Sequence, residues 1–120
     1  MIFSFDVGNG FVKAKSEKVT LVAPSAIAKE SALGESTIDG LDNTTNYHIF
    51  QSPLDDAVSY VWGEGLKAAV EPRKLLNTYT HHKRYKNKRF KLLCQFILAE
   101  LASDFSDEEL QNITVVTGMP

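Results

Sequence analysis

Two strand-like runs joined by a glycine-dense turn set the tightest limit on how this chain folds. Ile2-Phe3-Ser4-Phe5 is an apolar run, and Phe11-Val12-Lys13-Ala14-Lys15 alternates apolar and polar residues as a half-buried strand does. Between them stand Asp6-Val7-Gly8-Asn9-Gly10. The pattern predicts a β-hairpin whose tip carries a carboxylate and two glycines, with a lysine just beyond. Such a tip suits a phosphate tail with its magnesium ion. Glycines let backbone N–H groups come close to phosphate oxygens. Lys13 brings a positive charge to the same anion, and Asp6 can hold the hydrated metal through water. Asp6, Gly8, Asn9, Gly10 and Lys13 are therefore the candidate phosphate-binding residues. Neither G-x-x-x-x-G-K-[ST] nor G-x-G-x-x-G is present. The plainer alternative is an ordinary hairpin closed by Asn9-Gly10, itself a strong turn signal, with Lys13 merely solvated.

Further along, residues 18–23 read as a third strand ending at Pro24, after a short turn at Glu17. Residues 29–45 are rich in Ser, Gly, Asn, Thr and acid and read as a long loop. Tyr47-His48-Ile49-Phe50 and Ser59-Tyr60-Val61-Trp62 read as two short strands flanking Ser52-Pro53. Residues 64–70 read as a short helix, stopped by Pro72. The clearest helix starts near Asn87, with Phe90, Leu93, Cys94, Ile97, Leu98 and Leu101 on one stripe. Leu92, Phe96, Ala99 and Ala102 widen the stripe, so this helix should be packed on more than one side. Ser106-x-x-Glu109 is a capping-box pattern. Ile113-Thr114-Val115-Val116-Thr117 reads as a buried strand parallel to the first.

Asp-x-Gly-x-Gly-x-x-Lys after a first strand resembles the first phosphate loop of the actin superfamily, which includes Hsp70 chaperones and sugar kinases. Val22-Ala23-Pro24-Ser25 resembles the Pro-Ser end of the third strand in actin-like proteins. Tyr60-Val61-Trp62-Gly63-Glu64 resembles their turn into a helix, and Thr117-Gly118-Met119-Pro120 resembles a loop of the ParM-like plasmid-segregation actins, Gram-positive plasmid type. Arg84-Tyr85 before Phe90-Lys91-Leu92-Leu93 also fits that type. Asn9 stands where eukaryotic actin has serine.

The resemblance implies an α/β fold: the N-terminal lobe of a ribonuclease-H-like, actin-like ATPase. Its mixed sheet would be a three-strand meander followed by a helix and a parallel strand. Residues 1–28 and 85–120 would form the core sheet and helix, and 29–84 a small inserted subdomain. The resemblance also implies that the chain is the N-terminal part of a longer protein, with the C-terminal lobe and the rest of the catalytic site lying outside it. That whole protein would bind Mg-ATP, or GTP, and assemble with copies of itself into filaments. A DNA-binding adaptor would link those filaments to plasmid DNA. A cell-shape actin or a kinase is the alternative within the superfamily.

With 120 residues the chain is of single-domain size. Its net charge of -2 gives no general pull toward nucleic acid or anionic membrane. Cys94 is the single cysteine, which excludes an internal disulfide, and its place on the apolar stripe predicts a buried thiol. No apolar run reaches membrane-spanning length, and no signal peptide is seen, so a cytoplasmic protein is expected. Asp6 could alternatively open a ribonuclease-H-type metal site, but that chemistry needs several convergent acids, and Glu100 is the one candidate on the long helix. The basic stretch 81–91, with Tyr85 and Phe90 interleaved, fits a solvated loop. It also fits a nucleic-acid contact or a docking surface for an acidic neighbour, which is the basis for a stand-alone binding module. His81 and His82 lack partners at zinc-ligand spacing.

Overall fold

The computed structural model describes residues 1–33, 47–78 and 86–117. Its first sheet has the order β3-β2-β1-β8. Strands β1 (Ile2–Val7), β2 (Phe11–Lys15) and β3 (Thr20–Pro24) form an antiparallel meander, and β8 (Thr114–Thr117) pairs parallel to β1. This is the mixed sheet expected of an actin-like N-terminal lobe. Alternation sets its two faces. Phe3, Phe5, Val7, Val12, Ala14, Leu21 and Ala23 are buried, while Asp6, Phe11, Lys13, Lys15 and Val22 are exposed. The third strand runs to Pro24 rather than stopping before it, because Phe11↔Pro24 is the last register pair of an edge strand, where a missing N–H is tolerated.

At Ser25 the chain leaves the first sheet and enters a second, of order β5-β6-β4-β7. Its members are β4 (Ala26–Lys29), β5 (His48–Phe50), β6 (Tyr60–Trp62) and β7 (Leu76–Asn77). Sequence reasoning found β5 and β6 but missed β4 and β7. Ala26–Lys29 is short and continues directly from β3, and a two-residue strand carries no period. Residue 29 lies in β4 and Glu30–Ala32 forms a 3-10 turn, so the loop expected over 29–45 is partly regular; residues 34–46 fall outside the described set. The short helix appears as α1 (Leu66–Ala69), and Pro72 opens a separate 3-10 turn after it.

Helix α2 (Lys88–Ala102) starts where Asn87 accepts from the N–H groups of Arg89 and Phe90. It packs on β1, β2 and β4, and so bridges the two sheets. Leu92, Leu93, Phe96, Ile97 and Leu101 are buried along it; Cys94 and Leu98 are half-buried and Ala99 is exposed, a narrower stripe than expected. Phe96 stacks on Phe50 with 4.6 Å between centroids. The capping box forms as read: Ser106 Oγ accepts from Glu109 N–H and Glu109 Oε1 accepts from Ser106 N–H. Strand β8, expected to be buried, is exposed at all four residues. It is the sheet's edge, and α2 packs chiefly on other strands.

The start of α2 is tied to the second sheet by Asp55, whose Oδ2 accepts from Lys88 Nζ and from Tyr60 Oη, both at 2.8 Å. The Lys88 hydrogen bond and then that from Tyr60 hold the Asp55 carboxyl below its usual value. A depressed folded pKa contributes stability above the unfolded pKa, and this is lost as pH falls through the folded one. Stability should therefore decline as pH drops below about 4, and Asp55→Asn should flatten part of that decline in acid-denaturation curves. An unchanged curve would remove Asp55 from the account.

Candidate functional site

The hairpin tip is Gly8-Asn9-Gly10. Gly8 N–H donates to Phe11 O at 2.9 Å, extending the β1–β2 ladder to the last possible pair. Neither Gly8 nor Gly10 has a positive φ. The turn is thus not the two-residue type I′ form that Asn-Gly usually makes, which needs φ above zero at both positions.

What shapes the tip instead is Ser25. This buried residue, 3% exposed, donates its Oγ–H to Gly8 O at 2.8 Å and its N–H to Gly10 O at 3.1 Å. A trans peptide sets C=O and N–H on opposite sides. With both carbonyls turned to Ser25, the N–H groups of Asn9 and Phe11 lie on the side away from it. Ser25 is fixed in turn, since its carbonyl accepts from Thr78 Oγ1 at 2.7 Å, and Trp62 Nε1 donates to the adjoining Pro24 O at 2.8 Å. Sequence reasoning quoted Pro24-Ser25 but gave the serine no role. The one available signal was a hydroxyl just after a strand-ending proline; its target lies 17 residues away.

Asp6 and Lys13 are direct register partners, so their side chains leave the same open face of the sheet. Among the described residues neither side chain makes an ion pair. Both line an open depression of about 380 Å³ with Ser4, Lys15, Thr20 and Val22. A Cβ added at Gly10 would meet nothing within 4 Å, whereas one at Gly8 would come within 3.0 Å of Phe11 O. The five candidate residues are therefore contiguous: a carboxylate and a lysine side by side, with two amides and an open glycine at the tip. That donor set fits a hydrated divalent cation and a polyphosphate.

Other candidates are placed differently. Glu100 pairs with His48 Nδ1. Among the described residues no three His, Cys, Asp or Glu side chains converge as metal ligands. In the basic stretch Lys88 is committed to Asp55, Lys86, Arg89 and Lys91 are exposed, and residues 81–85 lie outside the described set, His81, His82, Arg84 and Tyr85 among them. Thr117 ends β8 beside Phe5; Gly118, Met119 and Pro120 are also outside it. No helix of the described residues is long and apolar enough to cross a membrane.

Residues 4–120 match the family of actin-like proteins, N-terminal domain. The fold is similar to the crystal structure of apo pSK41 ParM protein, with a TM-score of 0.71 and 25% sequence identity. That likeness covers 99% of this chain and 36% of the ParM chain, so this chain spans about a third of its relative's length. No curated protein sequence matches it.

Proposed function

This chain belongs to the actin-like proteins, as their N-terminal domain, and from that premise we propose that it is the phosphate-binding first lobe of a filament-forming ATPase that segregates plasmid DNA. The observation that carries the reading is the tip at Gly8-Asn9-Gly10, tied back by Ser25 and flanked by Asp6 and Lys13. Likeness to ParM supports the plasmid role. Residues 1–28 and 85–120 serve as the core and 29–84 as the inserted subdomain. The nucleotide is ATP, with GTP as the alternative, and the lobe acts in the cytoplasm.

In this scheme Asp6 holds magnesium through water. Gly8, Asn9 and Gly10 offer donors to the phosphates, and Lys13 adds its positive charge. When bound, magnesium offsets the negative charge of the β- and γ-phosphates. The five residues bind and orient the phosphate tail, while the residues that activate water belong to the second lobe. The partners are further copies of the protein and an adaptor that binds plasmid DNA.

Asp6→Ala in the full two-lobed protein should abolish nucleotide-dependent assembly, read by pelleting and light scattering. Assembly at the wild-type level would defeat the role given to Asp6. The 120-residue chain alone should show no measurable ATP turnover.

A further inference from the structure

We infer that Lys67 is a second phosphate-binding cation, placed at the lip of the hairpin tip by Phe11; this rests on the phosphate-loop reading and extends it to a residue outside the loop. Phe11 follows Gly10 directly, yet it is 58% exposed, an unusual place for a phenyl ring. Gly8 and Phe11 form the last pair of the β1–β2 ladder, and Asp6 and Lys13 face each other two residues back on each strand. Side chains repeat every second residue along a strand. The ring of Phe11 therefore stands on the same open face as Asp6 and Lys13.

Lys67, on α1, lies with its Nζ 5.3 Å from the centroid of that ring. An ammonium over a phenyl face is held by the ring's quadrupole without being neutralised. Lys67 makes no carboxylate pair among the described residues, in contrast to Lys18 and Lys88, which pair with Glu109 and Asp55. Helix α1 is seated against β3, so the lysine reaches the lip from a fixed base. Leu66, next to it, is fully buried and anchors the turn. The result is two un-neutralised ammonium groups, Lys13 on the strand and Lys67 beside the tip, on one side of the same loop. A single phosphate needs one of them; a chain of phosphates can use both.

Inorganic tripolyphosphate is the probe, titrated against the chain while the amide signals of Asn9 and Gly10 are followed by NMR. Lys67→Met keeps the apolar stem and removes the charge. It should weaken binding by about 3–5-fold, the scale of one exposed ion pair. Lys13→Met should weaken it by about tenfold. Phe11→Leu, which frees the lysine from its ring, should give a loss no larger than that of Lys67→Met. Lys91→Met, on the exposed side of α2, should leave affinity unchanged. If Lys67→Met binds as the wild type does while Lys13→Met is weakened, the inference fails and the phosphate-loop reading stands. If Lys91→Met loses as much as Lys67→Met, the effect is general charge and the inference fails. If tripolyphosphate moves neither amide in the wild-type chain, both fail together.

Discussion

Trp62→Ala should destabilise the domain by about 3–5 kcal/mol, the range for removing a large buried aromatic residue. Total stabilities are about 5–15 kcal/mol, so this one change should leave a substantial fraction unfolded near physiological temperature. Trp62 is fully buried on β6, between buried Val61 and Gly63. Its Nε1–H holds Pro24 O at 2.8 Å, just where the chain crosses from one sheet to the other. Trp62→Phe keeps most of the apolar area but leaves that carbonyl without its donor, and should cost about 1–3 kcal/mol. The readout is urea unfolding followed by far-UV circular dichroism, because Trp62 is the single tryptophan and its loss removes the fluorescence signal. The two variants separate volume from hydrogen bonding. An alanine variant within about 1 kcal/mol of the wild type would mean that the two sheets do not depend on this contact.

The parts of the fold visible in the sequence were those with a strong local period. The meander showed through the apolar run Ile2-Phe3-Ser4-Phe5 and the alternation in Phe11–Lys15, and α2 through its stripe and its start near Asn87. β4 and β7 stayed hidden because a strand of four residues, or of two, is defined by its partners: Ala28 by Val61, Leu76 by Ile27. β8 was misread for a related reason. Thr-Val-Val-Thr has the composition of a buried strand, but burial is set by what packs on it, and edge position is a property of the topology. At the candidate site the grouping of the residues was legible and its support was not. Asp6, the glycines and Lys13 lie within eight residues. Ser25 reaches the tip as the chain leaves its first sheet, and Lys67 reaches Phe11 only after the chain has passed through β6 of the second; no spacing rule reports either.

The two glycines of the tip should separate folding from binding. Gly8→Ala places a methyl carbon about 3.0 Å from Phe11 O, the atom that Gly8's own N–H must reach at 2.9 Å. Both partners are backbone, so Phe11 O has to give by a few tenths of an ångström and the Gly8–Phe11 hydrogen bond is strained; the cost should be about 1–3 kcal/mol. Gly10→Ala meets no atom within 4 Å and needs no positive φ. It should leave stability unchanged or raise it by about 0.4–1 kcal/mol, because alanine restricts the unfolded chain. Yet the open space at Gly10 is the space a phosphate oxygen would use to approach the backbone. A methyl there should weaken Mg-ATP binding at least about tenfold, equivalent to about 1.4 kcal/mol. Thermal melting and nucleotide titration of the same two variants would thus move in different directions. If Gly10→Ala binds nucleotide as the wild type does, the glycine serves only the turn, and the phosphate would have to be held by side chains alone. If instead Gly10→Ala is as unstable as Gly8→Ala, the tip must be closed more tightly than its open side implies, with no room for backbone N–H groups to meet an anion.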